Sequence, residues 1–343
     1  MGKRGVHHAA AFHASPRFTV VGVSDRDPGR LKDLGRFGDP QAGSDAAALA
    51  RALKPDVFCF CTPPSVRYEL VKTGVLSGAK LIAFEKPVAT SSAEAMRIRD
   101  LLSGSEVKAV VSHQHRYGEH YRKAAEIIAS GQLGRVHTVY ATAGGWMLHI
   151  ASHLIDYMRW YNGGADARWI MAQAAGRGKL ADLHASPDYI AGFIQFANGV
   201  RGVLECGAGA PDVPEVDYWW RKCRIGAQGT DGFAEVLTGG GWRSVTKNGA
   251  VSGPGSMSYD QDMPPYIQDM ADWLDGTKLH PCNFPSAYAG HEILMALVRS
   301  AVQGGQVALP LSSGIDELAL LKEKLPHAKV LLSSEANAKE YGL

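Results

Sequence analysis

The chain is poor in cysteine, nearly neutral, and without a long apolar run. Five cysteines, Cys59, Cys61, Cys206, Cys223 and Cys282, are spread over 343 residues. An odd, scattered set excludes a disulfide framework and points to a reducing, cytoplasmic location. Cys59 and Cys61 alternate with Phe58 and Phe60, and read as small buried hydrophobes rather than a metal or redox pair. The formal net charge is +2, with no basic run carrying interleaved aromatics, so nucleic acid is not an expected partner. No apolar stretch is long enough to cross a membrane, and no signal peptide opens the chain. Internal repeats and low-complexity blocks are missing too.

What is there fits two globular domains. The length exceeds one ordinary core, and 45 % hydrophobic with 20 % charged residues is a usual globular composition. The first third alternates strand and helix. Strands are predicted over 18–24, 56–61, 81–84 and 107–112. Helices are predicted after Pro28, from a Ser44 cap to Lys54, over 66–76, and from Ser91 or Ser92 to 102. This rhythm implies a parallel, doubly wound sheet. After a helix over 119–130 the pattern turns to strands and turns, with a hairpin about Ala197-Asn198-Gly199. Helices follow over 149–160, 266–274 and 288–302. The expected division is a Rossmann domain over 1–117, an α+β domain with a large, mostly antiparallel open sheet over 118–310, and a helix with a tail over 311–343.

Two places carry chemistry. Glu85-Lys86-Pro87 stands where the apolar strand 81–84 runs out, at the carboxyl end where open α/β sheets bind ligands. Some sixty residues later His149, His153 and Asp156 recur at helical spacing. A lysine and a histidine flanking one carbon–oxygen bond is dehydrogenase chemistry. Zinc is the rival reading for the histidines, with His113, His115 or Asp156 as further ligands; it is disfavoured, and no metal is expected.

The opening Met1-Gly2-Lys3-Arg4-Gly5 matches the back half of Gly-x-Gly-x-x-Gly and its helix, with Gly2 and Gly5 as the second and third glycines. Asp25, about twenty residues on, stands where an acid binds ribose hydroxyls. The first glycine and the strand before it are missing. A start assigned too late, or a fragment, is the expected cause, ahead of a real loss of the strand. Asp25 favours NAD, because a carboxylate repels a 2′-phosphate, while Arg26 beside it leaves NADP possible. His7 and His8 read as helix residues without chemistry.

With these residues in hand, the chain resembles the Gfo/Idh/MocA (glucose–fructose oxidoreductase, inositol dehydrogenase, MocA-like) family over about residues 1–310. The marks are Thr62-Pro63-Pro64, Glu85-Lys86-Pro87, Gly144-Gly145 and the run Val-Ala-Leu-Pro-Leu at 307–311. The resemblance implies NAD(P)-dependent oxidation or reduction of a carbinol carbon in a sugar or polyol, by a homodimer or homotetramer. It implies that Lys86 polarises the reacting oxygen and that His153 is the acid/base, with His149 beside it. It also implies cofactor contacts from Gly2, Lys3, Arg4, Gly5, Asp25, Arg26, Thr62, Pro63, Glu85, Lys86 and Gln114. Arg116, Tyr117, Trp146 and His149 are the implied substrate contacts.

Two departures stand out. His149 occupies a position where the family often has an aspartate, and a second imidazole adds no negative charge beside the base. Arg67 replaces a frequent histidine; it is expected either to meet an anionic group of cofactor or substrate, or to be solvated. A lyase or glycoside-cleaving enzyme using tightly bound NAD, and a non-catalytic homologue, are the alternative functions.

Overall fold

The computed structural model describes residues 1–182, 184–333 and 339. In chain order its elements are α1 (Lys3–Ala14), β1 (Gly22–Ser24), β2 (Gln41–Gly43), α2 (Ala46–Leu53), β3 (Val57–Phe60), α3 (Arg67–Leu76), β4 (Leu81–Glu85), α4 (Ser92–Ser103) and β5 (Lys108–Ser112). There follow α5 (Glu119–Ala129), β6 (Val136–Ala143), α6 (Ser152–Tyr161), β7 (Ala167–Ala175), β8 (Tyr189–Phe196), β9 (Arg201–Gly207), β10 (Cys223–Gly229), β11 (Gly232–Leu237), β12 (Gly241–Thr246) and β13 (Gly249–Gly253). The last are α7 (Tyr259–Leu274), α8 (Phe284–Gln303), β14 (Val307–Ala308) and α9 (Glu317–Lys324). The expected tail beyond α9 lies, over 334–338 and 340–343, outside the described residues.

Several expectations need correction. Of the strand expected over 18–24, only Gly22–Ser24 pairs, in parallel with β2. Instead of a helix after Pro28 there are two short 3-10 turns, Pro28–Arg30 and Leu34–Phe37. Asp45, not Ser44, caps α2: its carboxylate accepts from the amides of Ala47 at 2.9 Å and Ala48 at 3.0 Å. The sequence reading starts α7 after Pro265, yet the helix begins at Tyr259 and carries Pro264 and Pro265 inside it. Those prolines withhold amides from the carbonyls of Asp260 and Gln261, both exposed, where water can serve instead.

The chain divides into two compact units. The first holds Met1–Ala89, Glu94–Tyr117 and Ser258–Ala287, so α7 belongs to it and not to the second domain where the sequence reading puts it. Its strands form two parallel sheets, β1-β2 and β3-β4-β5. All five residues of β4 are buried, as befits a central strand covered on both faces. On α7, Met263, Tyr266, Ile267 and Met270 recur at i, i+3, i+4 and i+7, and their buried stripe packs with Phe12, Leu81, Ala83 and Val110.

The second unit is built on a nine-stranded sheet of order β13-β12-β11-β10-β6-β9-β8-β7-β14. Only β6 and β9 run parallel; every other neighbour is antiparallel. The Asn198-Gly199 hairpin is present, with Gly199 at φ +86° donating to the Phe196 carbonyl at 3.1 Å. α6 lies on β6, β9 and β10, and α5 on β11 and β12. Among the described residues, no helix is long and apolar enough to cross a membrane.

Candidate functional site

Each unit contributes a cluster of polar side chains, and each cluster stands at the end of an apolar element. In the first unit the cluster gathers where β4 ends. Glu85 is the last residue of β4, and Lys86 follows it into a cis Lys86–Pro87 peptide. Arg67, the first residue of α3, is only 1 % exposed. Its Nε donates to the Pro87 carbonyl at 3.2 Å and its Nη2 to the Lys86 carbonyl at 3.1 Å. Arg67 is therefore not solvated, and its Nη1 is a buried donor without a hydrogen-bond partner. It pins the turn that carries Lys86, and its guanidinium lies against the rings of Phe60 and Phe84.

Glu85 meets His8, which donates from Nε2 to the carboxylate across 3.2 Å. His8 is thus not an idle helix residue; it is buried, and α1 aims it at the end of β4. The sequence hides this contact because the partners are 77 positions apart. Burial alone would raise the Glu85 pKa. The hydrogen bond and charge of His8, with Lys86 and Arg4, outweigh it and hold the carboxyl at about 2. Burial likewise favours neutral His8, but Cys61 and Glu85 raise its pKa overall. The Cys61 thiol is itself pushed well above its ordinary value by Cys59 and burial. It is neutral near pH 7, so Glu85 is the partner that sustains the imidazolium there.

Lys86 sits in this field. Burial lowers its pKa most, Glu85 raises it, and Arg4 and Arg67 lower it further, to about 8. A lysine so placed is still mostly an ammonium at pH 7, yet close enough to neutrality to exchange a proton.

The residues expected to hold a dinucleotide fall as follows. Gly2 caps α1 in extended backbone. A Cβ added at Gly2 would come no nearer than 3.5 Å to Arg30, and one at Gly5 no nearer than 3.5 Å to Met1. The first turn of α1 therefore presents its amides beside two small residues, with Lys3 exposed and Arg4 lying 3.8 Å from the Tyr259 ring centroid. Asp25 follows β1 and meets the Met1 ammonium. Arg30 also stands beside Asp25, at 3.9 Å, while Arg26 is exposed. Arg30, which the sequence reading did not name, is brought there by the 3-10 turn Pro28–Arg30. Thr62 carries a buried hydroxyl with no hydrogen-bond partner, and Pro63 is exposed. The open glycine turn and this unpaired hydroxyl fit a nucleotide.

Beyond β5 the geometry departs from expectation. The strand ends at Ser112 and a 3-10 turn, Gln114–Tyr117, follows, so His113 and His115 lie outside the strand. His115 is 2.8 Å from Asp262. Gln114 is buried and accepts from Ser112 at 3.2 Å. Arg116 is half-buried. Tyr117 donates to Asp269 at 2.6 Å, and Lys278 holds the same carboxylate at 2.7 and 2.8 Å. That hydroxyl is committed to the core rather than offered to a substrate.

In the second unit the cluster surrounds the start of α6. A π-helical turn, Met147–Ala151, precedes the α-helix, so His149 and His153 lie in turns of different width and not in one regular i, i+4 row. His153 is buried, its Nδ1 is 3.2 Å from the Tyr157 hydroxyl, and the two rings stack at 5.9 Å. Tyr157 was missed in the sequence, although its spacing of four from His153 was there to be read. The ring of His149 lies 5.3 Å from that of His184. Trp146 packs 5.5 Å from Trp219, and the Lys179 ammonium sits 4.5 Å from its ring centroid. Asp156 is buried in the same helix.

Comparison with known proteins bears on the family and the fold. Residues 1–113 match the oxidoreductase family with an NAD-binding Rossmann fold, and residues 140–235 match the Gfo/Idh/MocA C-terminal domain. Oxidoreductase P35 of Formosa agariphila is 25 % identical over 290 residues, which cover 77 % of this chain and 83 % of that protein. Levoglucosan dehydrogenase, solved with NADH and levoglucosan, has a TM-score of 0.74 at 18 % identity, covering 90 % of this chain and 97 % of its own. myo-Inositol 2-dehydrogenase of Lactobacillus plantarum gives 0.71 at 16 %, covering 90 % and 96 %. At such identity these two structures are similar in fold alone.

Proposed function

The chain belongs to the Gfo/Idh/MocA family of NAD-binding oxidoreductases, and on that premise we propose that it moves a hydride between nicotinamide and a secondary alcohol or ketone carbon of a sugar or polyol. The observation that carries this reading is Lys86, half-buried just past the end of β4, pinned through its carbonyl by Arg67 and lowered to about 8.

When bound, NAD supplies the hydride acceptor at C4 of its nicotinamide. Gly2, Gly5 and the amides opening α1 receive its pyrophosphate, Asp25 its ribose hydroxyls, and Thr62 and Gln114 further polar groups. The Asp25 carboxylate favours NAD over NADP. Lys86, as ammonium, donates to the reacting oxygen and stabilises the charge that develops there. His153 takes the hydroxyl proton on Nε2, with Nδ1 turned to the Tyr157 hydroxyl. In the reverse direction the same groups return the proton to the carbonyl oxygen. Trp146 and His149 border the sugar.

The sheet of the second unit also favours a homo-oligomer. Met171 and Phe193 are paired across β7 and β8 and stand 47 % and 59 % exposed, an apolar patch that a second copy would cover.

The test is a screen of hexoses, pentoses and inositols with NAD, following NADH by absorbance. One NADH formed per alcohol oxidised supports the reading. Bond cleavage without net NADH would replace it with the lyase or glycoside-cleaving alternative.

A further inference from the structure

We propose that His8, Cys59 and Cys61 form a binding site for a thiophilic divalent cation, of which Zn²⁺ is the representative. The inference is independent of hydride transfer, and its test needs no substrate. His8 Nδ1 and the two sulfur atoms all lie within 4.8 Å of one another. His8 Nδ1 is 3.6 Å from Cys59 Sγ. Tetrahedral zinc, with bonds of about 2.3 Å to sulfur and 2.0–2.1 Å to nitrogen, holds such ligand atoms roughly 3.5–3.8 Å apart. One pair already has that spacing, and the third atom needs to move by about an ångström at most.

Two elements supply the ligands. Cys59 lies in β3 and Cys61 just beyond its last residue, so the alternation of an extended chain turns both sulfurs to one side. α1 brings His8 to that side. The imidazole is also oriented for the task. Its Nε2 donates to Glu85 at 3.2 Å, which holds the proton on Nε2 and turns Nδ1 to the sulfurs, where the cation displaces the Nδ1 proton of the imidazolium. A carboxylate behind a histidine is the usual support of a metal-ligating imidazole. His8 is buried while both cysteines are partly exposed, so an ion has a path from solvent. Among the described residues no other trio of histidine, cysteine and acidic ligand atoms converges in this way.

On binding, each thiol and the His8 Nδ1 give a proton to solvent, two thiolates and one neutral imidazole hold the cation, and water takes the fourth position. The two thiolate charges neutralise the ion, and soft sulfur ligands select zinc over magnesium or calcium.

The test uses the full reduced chain, titrated anaerobically with Co²⁺ and then with Zn²⁺. The expected result is a thiolate-to-cobalt absorption band that saturates at one equivalent and is abolished by Zn²⁺. Glu85→Gln should weaken Co²⁺ binding by roughly tenfold or more. Cys59→Ser, Cys61→Ser and His8→Ala should each weaken it further, while Cys206→Ala leaves it unchanged. A second measurement needs no variant. Zn²⁺ should slow alkylation of Cys59 and Cys61, mapped by mass spectrometry, and leave the other three cysteines at their own rates. Absence of the band, its survival in the Cys59→Ser/Cys61→Ser double variant, or equal alkylation with and without Zn²⁺ would each overturn the site.

Discussion

The turn after β4 and the first turn of α6 each present one proton-bearing side chain, but they control it by different means. Around Lys86 the partners are charged. Glu85 is held ionised at about 2, His8 is raised, and Arg67 and Arg4 add positive charge, so the surroundings set the charge state of the lysine. Around His153 one partner is the neutral hydroxyl of Tyr157, which helps orient the ring while adding no charge of its own. The lysine is tuned by electrostatics, and the histidine by geometry. Interactions between buried charges are worth more than one neutral hydrogen bond, so the first turn should be the more sensitive to substitution.

The largest effect is expected from Lys86→Ala. Turnover should fall by about two to three orders of magnitude, as for other groups that stabilise a developing oxyanion, with far-ultraviolet circular dichroism unchanged. Next is Arg67→Met, which frees the carbonyls of Lys86 and Pro87 and should lower stability by about 2–3 kcal/mol in urea unfolding. Turnover should fall with it. Glu85→Gln removes a charge that raises Lys86 against burial, Arg4 and Arg67. The lysine then loses its proton at lower pH, so the alkaline limb of kcat/KM should move below its wild-type position near pH 8. Smallest is Tyr157→Phe, worth about 1 kcal/mol, or several-fold in kcat, with both limbs of the pH profile in place. If Tyr157→Phe moved a limb as far as Glu85→Gln does, the contrast between the two turns would fail.

What could be read from the sequence follows the reach of each signal. β4 and the Asn198-Gly199 hairpin are local patterns and appear where expected. The chemistry of Glu85-Lys86-Pro87 was likewise visible as a charged pair ending an apolar strand. The partners of those residues were not, because His8 and Arg67 reach the turn from 77 and about twenty positions away. Local rules misled twice. Pro264 and Pro265 read as a helix stop, but the buried stripe Met263, Tyr266, Ile267 and Met270 carries α7 through them. His149 and His153 read as one helical face, but a π-turn intervenes, and no periodicity in the sequence marks it. The third lapse was chemical. Cys59 and Cys61 fit the pattern of small buried residues, and only the fold brings His8 to them.

The most direct test of hydride transfer through Lys86 and His153 compares wild type, Lys86→Ala and His153→Ala in a single turnover. NAD and the best alcohol from the screen are held at saturation, and cofactor affinity is measured in parallel by energy transfer from tryptophan to NADH. The account predicts that all three proteins bind NADH with similar affinity, while the two variants form it at least about a hundredfold more slowly. Wild-type rates in either variant, with NADH binding intact, would contradict it.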